Sequence, residues 1–232
     1  MQGQGLPEVT VGSRVFRVGF PPRPWAWPSW EWSTNGRFSG RWDDPNGNFR
    51  TVYAGSTLRA CLLEVLAPFR KDPRLASEMD EIEENSEDHV VYPTVSPGEV
   101  PQAWLEARSI TSARLEGMFF EVSDSRSLAL LHPQFIGNAL QLGLEDFDAA
   151  ALKDSRARPL TQAVASWTFE NTDLDGISFS SRHGDDLKLW AIFERSPGSE
   201  VSPLLMEIRE EDEVDHEILA AFDLLGIKWQ LD

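Results

Sequence analysis

Residues 51–69 read TVYAGSTLRACLLEVLAPF. Residues 51–54 form a short β-prone run. Ser56 or Thr57 then offers a hydroxyl as an N-cap, and a helix of about three turns follows. Leu58, Cys61, Leu62, Val65, Leu66 and Phe69 fall at i, i+3, i+4, i+7, i+8 and i+11, the apolar stripe of one helix face. Pro68 and the following KDPR end the helix. A strand therefore feeds directly into a helix with a buried face.

On the N-terminal side, residues 14–20 alternate well enough for a strand, and residues 1–12 are expected to be a tail. PPRPWAWPSWEW, residues 21–32, cannot form a regular helix or central strand because of its prolines. It is expected to be an ordered loop held by aromatic packing. On the C-terminal side, strands are expected at 89–95, 118–122, 177–180, 189–193, 204–208 and 227–230. Helices are expected at 124–131, 134–142, 145–153 and 159–170, the last opened by Pro159 in its first turn. A further helix over 217–225 is stopped by Gly226. Strands and helices mix without strict βαβ alternation, which favours α+β over a doubly wound sheet. No repeat or low-complexity linker marks a domain boundary.

The whole chain has 232 residues, of which 41% are hydrophobic and 25% charged, so an ordinary globular core is affordable. A single cysteine excludes a disulfide framework and a multi-cysteine zinc site. No stretch approaches the ~20 apolar residues of a membrane span, and no secretory signal is visible at the N-terminus. A cytoplasmic protein without membrane contact is expected. Acids outnumber bases 38 to 21, for a net charge of −17. That field repels phosphate backbones and argues against direct nucleic-acid binding. Two acidic runs, 78–88 and 207–217, read as solvated faces or as docking surfaces for a basic partner.

The familiar phosphate-loop, dinucleotide, metalloprotease and serine-hydrolase motifs are absent. His89, His132, His183 and His216 are scattered, with no metal-ligand spacing. Cys61 lies on the apolar stripe and reads as a buried small hydrophobe. Glu64 is the oddity: a carboxylate inside LLEVL either keeps its head in water or sits at the edge of a cleft. Residues 36–47, GRFSGRWDDPNG, put two arginines among glycines, which suits close approach to an anion. Residues 175–184, DGISFSSRHG, pass from a strand start into a polar cluster.

In this order, Gly40-Arg41-Trp42, Tyr53, LLEVL with Glu64, and Asp175-Gly-Ile-Ser-Phe-Ser-Ser-Arg182 resemble the RES domain family, which is named for a spaced Arg, Glu and Ser. The resemblance runs over about residues 15–193. Arg41, Glu64 and Ser181 match the family's three name residues, and Tyr53 matches its tyrosine. The helix opening Arg158-Pro-Leu-Thr-Gln-Ala163 also fits. Asp43 stands where the family commonly has Asn, the loop from Arg41 to Tyr53 is longer, and residues 70–115 look like an expansion.

The resemblance implies one domain over residues 13–232 with an ADP-ribosyltransferase-like α+β fold. Such a fold has a split, bent mixed or antiparallel sheet and flanking helices around an NAD cleft. It implies an NAD+ phosphorylase that cuts the nicotinamide–ribose bond, with NAD+ as substrate, inorganic phosphate as co-substrate, and no metal or resident cofactor. It also implies a role as the toxin of a toxin–antitoxin pair, with a helix-turn-helix antitoxin or a second copy as partner. The alternatives are NAD hydrolysis or ADP-ribosyl transfer in the same pocket, or a non-catalytic acidic module that binds a nucleotide or a partner. Arg41, Glu64 and Ser181 are the expected catalytic residues. Tyr53, Arg17, Arg37, Trp42 and Arg182 are the expected substrate contacts. Ser181 is preferred over Ser180 because it shares a strand face with Ile177 and Phe179 and directly precedes Arg182. A β-bulge at Ser180 would reverse that choice.

Overall fold

The computed structural model describes residues 6–70, 97–208 and 214–230. The acidic run 78–88, the expected strand 89–95 and the middle of the run 207–217 lie outside them. The fold is α+β. Strand β1 spans Glu8–Gly19, β2 Thr51–Gly55, β3 Glu99–Val100, β4 Ser109–Glu121, β5 Gly176–Ser181, β6 Gly184–Phe193, β7 Leu205–Ile208 and β8 Lys228–Trp229. Helix α1 spans Leu58–Leu66, α2 Gln102–Glu106, α3 Ser125–Gln141, α4 Ala149–Lys153, α5 Arg158–Asn171 and α6 Val214–Leu225.

Among the described residues, six strands make one mixed sheet in the order β1-β2-β6-β5-β4-β7, and β1 also pairs with β4. The β1–β4 ladder is antiparallel from Glu8↔Phe120 to Gly19↔Ser109. β4 and β5 run parallel, whereas β5–β6 and β2–β6 are antiparallel. β1 meets β2 only at Phe16↔Gly55. The pairings thus return on themselves, and the ring is weakest between β1 and β2. β3 and β8 form a separate parallel pair.

Alternation along the strands divides the core in two. Leu189, Ala191 and Phe193 of β6 join the larger core with α1, α3, α5 and α6. Trp190 and Ile192 face the other way, with Val11 and Val15 of β1 and Val52 and Ala54 of β2. Trp25 and Trp27 of the proline-rich loop are buried in that second cluster. The loop is therefore ordered, as expected, and it covers a sheet face on which none of the described helices packs.

Helix α1 forms as its sequence dictates. Thr57 Oγ1 accepts the Ala60 N–H at 3.1 Å, and a 3₁₀ turn, Ala67–Phe69, carries Pro68. Leu63 is buried along with Leu58, Cys61, Leu62 and Leu66 of the expected stripe, because α1 packs on α6 as well as on β1 and β2, and Val65 and Phe69 are half-buried. Gly226, at φ +65°, closes α6 as expected.

Three expectations need correction. Residues 8–12, expected to be tail, belong to β1: each pairs with β4, and Val11 is 5% exposed. The two helices expected at 124–131 and 134–142 are one helix, α3, running through Pro133. Ser127, Leu131, Phe135 and Ala139 are buried at four-residue spacing, so one face stays in the core across the proline. Pro133 lies on the exposed face with Ala129, whose carbonyl loses its helical partner where water can reach it. The helix expected over 145–153 is only Ala149–Lys153, because Asp148 caps it by accepting the Ala151 N–H at 2.7 Å.

Candidate active site

A cavity of about 420 Å³ opens beside α1, between the diverging ends of β1 and β2 and the start of α5. Glu64 and Val65 of α1, Arg17 and Val18 of β1, Tyr53 of β2 and Phe179 of β5 line it. Arg41, Arg158 and Arg182 line it too, as do Asp154 and Ser155. Four arginines against two carboxylates make the cavity positive in a chain of net charge −17. Local charge, rather than the total, decides which ligand enters.

Glu64 projects from the last turn of α1, at the edge of its apolar face, and the end of β5 meets it there. Ser181 Oγ donates to Glu64 Oε1 at 2.6 Å and accepts the His183 N–H at 2.9 Å. Ser181 is 1% exposed. The β5–β6 ladder does shift register between Ser180 and Ser181, from Ser180↔Lys188 to Ser181↔Gly184. The additional residues, 185–187, are on β6, so the alternation of β5 is kept and Ser181 remains the residue that faces Glu64.

Tyr53 and the Gly40–Asp43 turn form a second unit. The Tyr53 hydroxyl donates to Asp43 Oδ1 at 2.8 Å and accepts the Trp42 N–H at 2.9 Å. Asp43 also accepts the Gly40 N–H. A Cβ on Gly40 would lie 2.5 Å from Asp43 Oδ2 and 2.6 Å from the Tyr53 oxygen, so glycine is required there. Gln162 of α5 donates to the Gly40 carbonyl at 3.0 Å. Burial raises the Asp43 carboxyl above its usual range, and burial together with the neighbouring Asp43 charge holds the Tyr53 phenol protonated. Tyr53 thus gives its ring wall to the cavity and its hydroxyl to the loop.

The arginines differ in how they are held. Arg41 donates to the carbonyls of Leu152 at 2.7 Å and Lys153 at 3.2 Å, at the C-terminal end of α4. Arg17 donates to the carbonyls of Pro24 at 2.7 Å and Tyr53 at 2.8 Å, tying β1 to β2 where their ladder has stopped. Burial lowers the Arg17 pKa to about 10. Arg158 and Arg182 are exposed at the cavity wall. Lys153 pairs with Asp185 and joins the α4 turn to the β5–β6 turn.

Of the expected residues, Arg17, Arg41, Tyr53, Glu64 and Arg182 line one cavity, and Ser181 sits behind it on Glu64. Two expected substrate contacts are placed elsewhere. Trp42 is 1% exposed, with its ring against Phe179 at 5.4 Å, so it is a core residue beneath the cavity. Arg37 is exposed in a turn bridged to Thr34, away from the lining. The sequence reading did not count Asp43, Asp154, Arg158 or His183 among the site residues. Arg158 was signalled by its place beside Pro159 at a helix start. Asp154 was not, because its carboxylate reaches the wall only through the 3₁₀ turn after α4. The Arg156 side chain and backbone N–H hold the Asp154 pKa at about 2. His183 is half-buried, and burial lowers its pKa against the pull of Glu64. The Cys61 thiol lines the cavity but is pushed by burial up to about 12, so it is no nucleophile. Among the described residues no set of three His, Cys, Asp or Glu side chains could hold a metal ion, and no helix is long and apolar enough to cross a membrane.

A family model described as RES domain matches residues 14–211. Comparison with curated proteins and with solved structures returned no match.

Proposed function

The chain belongs to the RES domain family, and from that premise we propose that it consumes NAD+ by cutting the nicotinamide–ribose bond with inorganic phosphate as acceptor. The observation that carries this reading is Glu64, fixed by the Ser181 hydroxyl at 2.6 Å on the wall of an arginine-lined cavity. Breaking the bond leaves an oxocarbenium-like ribosyl cation, as in glycoside cleavage. A carboxylate held in place before the charge develops stabilises it without reorganising. Ser181 spends its proton on Glu64 and so positions the carboxylate.

The rest of the cavity suits the substrate. Arg158 and Arg182 meet a diphosphate or an incoming phosphate from the exposed wall, and Arg41 adds its charge from the α4 turn. A phosphate oxygen bonds to the ribose C1″ as the C1″–N bond breaks. The bonding pair returns to the pyridine ring, and nicotinamide leaves neutral. Hydrogen phosphate becomes the sugar phosphate without loss of a proton, so the products are nicotinamide and ADP-ribose 1″-phosphate. No strong acid is needed, in keeping with the inert Cys61. The ring of strands that is weakest between β1 and β2, with the cavity at that opening, suits an ADP-ribosyltransferase-like arrangement. Loss of NAD+ harms the cell that makes such an enzyme, which suits a toxin restrained by an antitoxin.

The test is to incubate the full chain with NAD+ with and without phosphate and identify the products by NMR. Nicotinamide with ADP-ribose 1″-phosphate, formed only with phosphate, is expected. Free ADP-ribose in both buffers would make the enzyme a hydrolase, and intact NAD+ would overturn the reading.

A further inference from the structure

Beyond the Val18 and Pro68 side of the cavity lies a run of rings that the site does not use. Phe69, the residue after Pro68, meets Trp104 edge-on with centroids 5.6 Å apart. The Arg108 guanidinium lies 3.8 Å from the Trp104 ring centroid and 5.1 Å from that of Phe20. Phe20 in turn meets Trp32 edge-on at 5.7 Å. Arg108 Nη1 donates to the Trp104 carbonyl at 2.6 Å, which fixes the guanidinium between the rings. The outer end of this ladder is open: Phe20 is 49% exposed and Trp32 68%. Phe20 directly follows β1, two positions after the cavity-lining Val18, and Phe69 directly follows the cavity-lining Pro68, so the ladder joins the cavity wall at two points of the chain.

Core packing does not account for two large rings held in contact with each other in solvent. Trp104 and Arg108 fall within residues 70–115, the segment that departs from the RES pattern, so the family resemblance assigns them nothing. Flat rings with a guanidinium between them suit a flat heterocycle, which stacks by its π-face and needs no base-specific hydrogen bond. An aliphatic peptide side chain would gain nothing from that alternation.

We infer that the Phe20–Trp32 end of this ladder is the stacking platform for the purine ring of the dinucleotide whose nicotinamide end occupies the cavity. The inference rests on the NAD+ reading above. The adenosine half would then lie outside the cavity on the aromatic rim, and substrates would be selected for a purine at that end.

The experiment is calorimetric titration of the full chain with AMP and, separately, with nicotinamide mononucleotide. Phe20→Leu, Trp32→Leu and the double variant keep apolar bulk but remove the π-faces. The AMP dissociation constant should rise roughly 5- to 150-fold in the double variant, the range for losing one stacked base, while nicotinamide mononucleotide binding is unchanged. Unchanged AMP affinity, or parallel loss of both ligands, would overturn the platform. The two readings fail separately. NAD+ cleavage by a wild-type chain whose AMP affinity ignores Phe20 and Trp32 removes the platform alone. Ring-dependent AMP binding by a chain that leaves NAD+ intact removes the NAD+ reading alone.

Discussion

Ser181 Oγ donates a 2.6 Å hydrogen bond to Glu64 Oε1 across 117 positions of sequence. That bond joins the end of β5 to the last turn of α1. The His183 N–H, donated to the same hydroxyl oxygen, leaves the serine proton no better direction than the carboxylate. A strand end and a helix end are thereby locked at the wall of the arginine-lined cavity, and the carboxylate is preorganised by a buried partner.

Ser181→Ala removes the donor that orients Glu64, whereas Ser180 makes no such bond. Ser181→Ala is expected to slow NAD+ loss at least tenfold, about 1.4 kcal/mol, and Ser180→Ala to change it little. The comparison is of initial rates of nicotinamide release from the two variants. The reverse ranking would contradict the role given to the β5 face.

The Tyr53 hydroxyl satisfies a buried carboxylate and a backbone N–H at once. Tyr53→Phe keeps the ring but leaves both groups short of a partner, a cost of about 1–3 kcal/mol. In a chain of this size that lowers Tm by about 2–12 °C, measurable by calorimetry. An unchanged Tm would mean that the Gly40–Asp43 turn does not depend on the tyrosine.

Burial holds the Cys61 proton up to about 12, against 9.0 for a free thiol. Between those values the folded chain keeps a proton that the unfolded chain gives up. Stability contributed by this group is therefore complete below pH 9 and is lost as pH rises toward 12. At pH 8 iodoacetamide should label Cys61 in denaturant and leave the native protein unlabelled. Rapid native labelling would show the thiol to be exposed and ionised.

The parts of the fold that were legible in the sequence are those where one local pattern decides. The stripe from Leu58 to Phe69 dictated α1 and the burial of Cys61, and Gly226 dictated the end of α6. Pro133 misled because a local rule was outvoted by a buried face continuing from Ser127 to Ala139. The first residues of β1 were hidden because their partner is β4, about a hundred positions away. At the site, Arg41, Tyr53, Glu64 and Ser181 were found through their order in the chain. Their division of labour was not. Arg41 is tied to carbonyls of Leu152 and Lys153, and Trp42 is sunk beneath Phe179. Asp43, which looked like a departure, turns out to anchor the loop, because a carboxylate can accept from both Gly40 and Tyr53.

The central claim is that Glu64 carries the cleavage of NAD+, and Glu64→Gln tests it most directly. The glutamine keeps the side chain's shape and can still accept the Ser181 proton through its carbonyl, but it carries no charge to set against the ribosyl cation. With folding verified by circular dichroism, nicotinamide release from NAD+ in phosphate buffer is measured for both chains. The account predicts that the wild type releases nicotinamide and that Glu64→Gln does so about 10²- to 10³-fold more slowly, the cost of one such electrostatic contact. Near-normal release by Glu64→Gln would contradict it.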